Sequence, residues 1–177
     1  MSYMRLTPVM QRYVVHWGEM GSRWGVNRSV AQIHALLWLA PQPLHADEIA
    51  ETLGIARSNV SVGLKELLAW DLVQVTHTLG DRRDFFQAPH DPWEVIRIVV
   101  EGRKRREIDP TLTFLRDCAT ALQKDSETPP EVRERIVAQM EFFETLTGWY
   151  DSVKNLPRKT LLKMMRLGQK IAKVIGE

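Results

Sequence analysis

The chain has a single cysteine, Cys118, in 177 residues. No disulfide can form within it, which fits a reducing cytoplasm. Its five histidines, His16, His34, His45, His77 and His90, include no pair at the spacing of a helical metal site and have no cysteine at metal-binding distance in sequence. There is no glycine-rich phosphate loop and no nucleophile elbow. No apolar run approaches the ~20 residues needed to cross a bilayer. The opening MSYMRLTPVMQRYVVHWGEMG lacks the apolar core and small-residue cleavage site of a signal peptide. Excess charge is small as well, a formal +2, so any case for nucleic acid must rest on local placement rather than on the total. These absences argue against an enzyme, a cofactor or metal protein and a membrane protein. A 44% apolar content argues against disorder.

The most organised stretch runs from His45 to Gln87, HADEIAETLGIARSNVSVGLKELLAWDLVQVTHTLGDRRDFFQ. Residues 47–53 read as a short helix with Ile49, Ala50 and Leu53 inward. Gly54 follows, where a positive φ is easiest for glycine, and Ile55 packs the turn. A second helix is expected over 57–70. Val60, Leu64 and Leu67 fall at i, i+4 and i+7 and point inward. At 100° per residue the opposite face carries Ser58, Ser61, Val62 and Lys65. Residues 72–77 alternate as a strand, with Val73 and Val75 on one side. Leu79-Gly80-Asp81-Arg82-Arg83-Asp84 is a turn, and 85–88 a returning strand. That order, two helices about a tight turn and then a hairpin, is a winged helix-turn-helix. Such a unit sets its second helix in a DNA major groove and its wing on the flanking backbone. Serines can bond bases or phosphates, and Val62 can meet a thymine methyl. In the locally neutral Asp-Arg-Arg-Asp turn, an aspartate that pairs with one arginine would fix the loop and leave the other for phosphate or a minor groove.

Helices surround this unit. Over 8–24, Val9, Tyr13, Trp17, Met20 and Trp24 form one apolar face, and Gly18 and Gly21 leave room for close helix contact. A buried helix is expected over 30–40, with Ile33, Leu36, Leu37 and Leu39 inward, stopped by Pro41 and Pro43. A very short strand follows near Leu44. Beyond the wing, Asp91-Pro92, Asp109-Pro110 and Thr128-Pro129 each place a capping residue before proline. Helices are expected near 91–108, 110–124, 129–153 and 157–175, with Asp109-Pro110 a kink in one long helix as the alternative. Trp93, Ile96 and Val100 mark the apolar face of the first. Leu112, Leu115, Ala119 and Leu122 mark the second, Ile136, Met140, Phe143, Thr147 and Tyr150 the third, and Leu161, Met165, Gly168, Ala172 and Ile175 the last. These spacings suit helix-on-helix packing. The basic run Arg103-Lys104-Arg105-Arg106 reads as a solvated face.

The order helix, helix-turn-helix, strand, Asp-Arg wing, long helix resembles the MarR superfamily of bacterial regulators. Residues from about Trp17 to Trp93 are similar to its GbsR-like branch in particular. The resemblance is carried by Ala31-Gln32-Ile33-His34-Ala35-Leu36-Leu37, Asp47-Glu48-Ile49-Ala50, Leu53-Gly54-Ile55-Ala56-Arg57-Ser58-Asn59-Val60-Ser61, the wing Gly80-Asp81-Arg82-Arg83-Asp84, and the DPW after it. It implies a mainly α chain with a small β-hairpin wing and additional C-terminal dimerisation helices. It implies a cytoplasmic homodimer that represses from a pseudo-palindromic operator and is released by a small molecule. GbsR-like members are associated with choline and glycine-betaine metabolism. Two positions depart from the usual pattern. Ala56 stands where many relatives cap the recognition helix with serine or aspartate, unless the cap shifts to Ser58. Asp71 stands where many have glycine.

The resulting division is an N-terminal helix over 1–27, a DNA-binding unit over 28–90 and a helical dimerisation and effector region over 91–177. The expected DNA contacts are Arg57, Ser58, Asn59, Ser61, Val62, Lys65, Arg82 and Arg83. Trp17, Trp24, Trp93 and Tyr150 are the candidates for an aromatic box around a quaternary amine such as choline or glycine betaine. The alternative, a winged helix used only for protein assembly, sits poorly with small polar residues and Lys65 on the presented face, because a protein-binding face exposes larger apolar anchors.

Overall fold

In the computed structural model, residues 4–175 are described, together with their side chains except at 169, 170 and 172–175. Ala172 and Ile175, the last members of the terminal stripe, therefore lie outside the described side chains. The contacts divide the chain into one unit up to Gly102 and a second from Arg103 onward.

The first unit begins with α1 (Pro8–Arg23), capped by the Thr7 hydroxyl, and α2 (Arg28–Leu39), capped by Asn27. The two pack side by side because Gly21 lets α1 lie directly on Ala31, where a Cβ would overlap that side chain. β1 (Leu44–His45) leads into α3 (Ala46–Leu53), and Gly54 at φ 64° ends it in the left-handed turn expected of it. The α4 helix (Arg57–Ala69) crosses α2 at Gly63, where a Cβ would come within 2.6 Å of the Ile33 methyl. The sequence reading gave Gly63 no role, because a helical glycine shows its use only once the neighbouring helix is in place. Asp71, φ 58°, turns the chain in the left-handed conformation that aspartate tolerates. β2 (Gln74–Thr76) and β3 (Phe85–Gln87) form the wing, and the sheet order is β1-β3-β2, all antiparallel.

Ile33, Leu36, Leu37, Ile49, Val60 and Val73 are completely enclosed and form the centre of this unit. Val73 and Val75 do not share a fate: Val73 is buried and Val75 is exposed, because the strand leaves the core at Gln74 and continues as the outer strand of the wing.

The α5 helix (Pro92–Arg103) closes the unit. Asp91 accepts a hydrogen bond from the Trp93 N–H, as a cap should. Its buried residue is Gly102, set against the Trp70 indole, while Ile96 and Val100 are exposed. The buried face is thus displaced from the Trp93-Ile96-Val100 line that periodicity proposes, because the small residue at 102 decides where α5 can approach the indole.

The helical run does not stop at Asp109. Lys104–Ile108 is a π-helical segment that passes directly into α6 (Asp109–Leu122), and Asp109 caps nothing. This is the single-helix alternative. A proline inside an α-helix clashes with the carbonyl four residues back, and a wider π turn immediately before Pro110 relieves that constraint. α7 (Pro130–Val153) starts one residue later than the Thr128-Pro129 signature implies. Pro129 occupies the cap position, and the Thr128 hydroxyl turns back to donate to Asp125. α6 and α7 pack as a hairpin through Leu112, Leu115 and Thr147 and an Arg116–Glu144 ion pair at 2.8 Å. One side chain fastens their loop: the Arg133 guanidinium donates to the carbonyls of Leu122, Asp125 and Thr128. The last helix is α8 (Arg158–Ile175).

Candidate nucleic-acid interface

The presented face of α4 is built as the periodicity requires. Val60, Gly63, Leu64 and Leu67 are buried, while Ser58, Asn59, Val62 and Lys65 are exposed and Ser61 is half-buried. Val62 is 64% exposed, unusual for a valine inside a well-packed unit. The helix starts at Ala56, whose side chain cannot cap, and no other side chain takes over. Its first backbone N–H groups are therefore left for an outside acceptor, the arrangement that favours a phosphate.

Arg57 does not stand alone. Its Nε donates to the Asp47 carboxylate at 2.6 Å, which joins the start of α4 to the first turn of α3. That turn is held by an unusual cap. His45 Nδ1 accepts from the N–H groups of Asp47 and Glu48, while the Glu48 carboxylate accepts from the His45 N–H, a reciprocal capping box. A histidine can do this only with Nδ1 unprotonated. The sequence reading passed over His45 because capping patterns are written for serine, threonine, aspartate and asparagine.

The wing is fixed to the same point. His45 pairs with Phe85 across β1 and β3, and their rings meet edge to face at 5.8 Å. The Arg83 guanidinium lies over the other end of this contact, 5.4 Å from the Phe85 ring centre. Arg83 is also held by Asp81, which accepts from its backbone N–H and, through both oxygens, from its guanidinium. Those hydrogen bonds hold the Asp81 carboxyl down at about 2. Asp84 faces His77 at 3.7 Å. Arg82 is exposed and forms no ion pair among the described residues. The turn thus has one arginine in a local clasp and one facing outward, and contacts run from Arg83 through Phe85, His45 and Asp47 to Arg57. Recognition helix and wing are two ends of one braced surface.

The aromatic candidates are distributed differently. Trp17 stacks on Tyr13 at 5.6 Å and meets Trp24 edge to face at 5.9 Å, so three rings line α1. Trp93 lies at the start of α5 in the first unit, and Tyr150 on α7 in the second, with the Lys154 ammonium 5.9 Å from its ring centre. The described residues hold no cluster of histidine, cysteine and carboxylate side chains able to bind a metal ion, and no described helix is long and apolar enough to cross a membrane.

Residues 24–84 match the MarR family model. The chain is 22% identical over 136 residues to the HTH-type transcriptional repressor GbsR of Bacillus subtilis, with 75% of each protein covered. It also superimposes on a crystal structure of a transcriptional regulator with a TM-score of 0.64. That match covers 83% of this chain and 96% of the other at 17% identity, a likeness of fold.

Proposed function

We propose that the chain is a winged-helix transcriptional regulator of the MarR type, a cytoplasmic, homodimeric repressor acting on a pseudo-palindromic operator; the match of residues 24–84 to the MarR family model and the likeness to GbsR support this reading. The observation that carries the reading is the braced surface. The uncapped start of α4, the exposed Ser58, Asn59, Val62 and Lys65, and the outward Arg82 all belong to elements tied together through His45 and Phe85. Val62 and the half-buried Ser61 read base edges. Arg57, Lys65 and Arg82 contact phosphate or the minor groove, and Arg83 sets the wing's shape. Repression is the role named for the Bacillus relative.

A single winged helix makes too few contacts for tight recognition, and the two recognition helices of a dimer would lie about one DNA turn, ~34 Å, apart. Support for the dimer comes from the second unit, where Phe114, Phe142, Trp149, Met165 and Leu167 are all more than half exposed. Large apolar side chains left open at this density mark an interaction surface. For an effector, Trp17 beside the half-exposed Trp24 supports a quaternary amine such as choline or glycine betaine.

The deciding experiment is a gel shift with the DNA upstream of the protein's own gene, titrated with salt. Specific binding is expected. Arg82→Ala should weaken it and lower the slope of log affinity against log salt by roughly 1. Binding-site selection with Ser61 and Val62 variants should show altered preference, whereas Lys65→Ala should weaken all sequences alike if Lys65 meets phosphate. Full affinity in Arg82→Ala and Arg83→Ala together would defeat the wing assignment. Titrating choline and glycine betaine against tryptophan fluorescence and operator binding tests the effector.

A further inference from the structure

His45 holds an unusual place for an ionisable group. Its side chain is almost enclosed, and it stands where the end of β1, the first turn of α3 and the wing meet. Nδ1 accepts from the Asp47 N–H at 3.2 Å and from the Glu48 N–H at 3.4 Å. The single proton of the neutral ring therefore sits on Nε2, 3.6 Å from the Glu48 carboxylate. The charged groups around the imidazole are Asp47 and Glu48 of α3, Asp81 and Arg83 of the wing, and Arg57 of α4 behind Asp47. Asp81 is paired with Arg83 and Asp47 with Arg57, so Glu48 is the carboxylate left to face the ring.

We propose that His45 is a positioning residue for DNA recognition, and that its protonation unlatches the start of the recognition helix. A second ring proton must go on Nδ1, the atom that holds both N–H groups of the α3 cap. A donor cannot accept, so both hydrogen bonds are lost and the new N–H needs an acceptor. The Asp47 carboxylate stands 3.8 Å from Nδ1. It already takes the Arg57 Nε at 2.6 Å. Drawn toward an imidazolium, it gives up Arg57, the first residue of α4. A ring that turns to follow it also leaves Phe85, over which Arg83 lies. One proton thus loosens the α3 cap, the start of α4 and the wing together. Histidine is the side chain whose charge ordinarily changes between pH 5 and 8. The added positive charge favours DNA of any sequence, so acidification should cost discrimination rather than raw affinity. The effect on an operator rests on the DNA-binding reading above; the change in the cap does not.

The test uses the full chain in two arms. Without DNA, nitrogen-15 NMR follows the imidazole from about pH 8 to about pH 5.5. His45 should begin with its proton on Nε2 and gain the second on Nδ1. The Asp47 and Glu48 amides and the Arg57 Nε should shift with the same midpoint. With DNA at fixed salt, affinity for the fragment upstream of the protein's own gene is divided by affinity for a scrambled duplex. That ratio should fall on the order of fivefold across the same range, the scale of one lost helix cap. His45→Asn keeps an acceptor at the cap but cannot take a proton, and its ratio should stay flat. His77→Asn, on the wing opposite Asp84, should fall as the wild type does. An imidazole that stays neutral throughout, cap amides that ignore its titration, or equal slopes in wild type and His45→Asn would each overturn the proposal. A cap that titrates as described in a chain that prefers no DNA would sink the operator reading and leave the latch standing.

Discussion

The two units of this molecule solve the burial problem in different ways. The winged helix encloses six large aliphatic side chains completely, drawn from α2, α3, α4 and the strand leading to the wing. From Arg103 onward, the buried apolar residues among those described are Leu112, Leu115 and Val153, while Phe114, Phe142, Leu146, Trp149 and several residues of α8 remain open. Propensity and periodicity are sound in both units, so the contrast lies in packing. The first unit has a continuous enclosed core, and the second leaves large apolar side chains open over a much smaller one. A DNA-reading module gains from the first property, because its geometry must not depend on assembly. A pairing module, the role proposed for the second unit, gains from the second.

Removing residues 157–177 should separate the two most sharply. Size-exclusion chromatography with light scattering should show loss of the dimer or insoluble protein. A fully dimeric truncation that still binds DNA would move the interface elsewhere. Within the first unit, Leu36→Ala should cost about 2–5 kcal/mol in urea unfolding, the range for emptying a fully enclosed aliphatic site. A loss below about 1 kcal/mol would mean that the unit is looser than its burial implies.

The third test uses pH. His34 is buried in α2 with Nε2 unpartnered, and burial lowers its pKa from 6.5 to about 4. A group protonated more readily unfolded than folded stabilises the native state above its unfolded value, and that stability drains away as pH falls from about 6.5 toward 4. The loss approaches about 3 kcal/mol. Denaturant midpoints measured across that window should fall in the wild type and flatten in His34→Leu; identical slopes in both would clear His34 of the effect. The smallest effect is expected at Phe142→Gln. An exposed ring should change monomer stability by no more than about 0.5 kcal/mol yet weaken association, and an unchanged dimer constant would remove Phe142 from the interface.

What could be read in the sequence follows the same divide. The helix-turn-helix was legible because its signals are local: the Val60-Leu64-Leu67 spacing, Gly54 beyond the end of α3, and an Asp71 able to take a left-handed turn. The exposed face of α4 followed from the same period, and the account of one arginine clasped by an aspartate anticipated Asp81 with Arg83. What escaped depends on partners distant in sequence. Gly63 and Gly102 have meaning only against Ile33 and Trp70. His45 as a cap, and its link to Phe85, needed the β1–β3 pairing. Asp109-Pro110 shows the reverse error, a strong local signal overridden by the π segment before it.

The clasp at the α6–α7 loop bears on how this protein is lost as well as how it is built. A connector between two helices is ordinarily where a chain frays and where a protease first finds extended backbone. Here Arg133, one turn into α7, holds the carbonyls of Leu122, Asp125 and Thr128, while the Asp125 side chain holds the far end of the loop. The end of α6 and the start of α7 can then open only together. Lys124, the trypsin site within this bend, lies in backbone held by an arginine nine residues on, so Arg133→Ala should speed tryptic cleavage there.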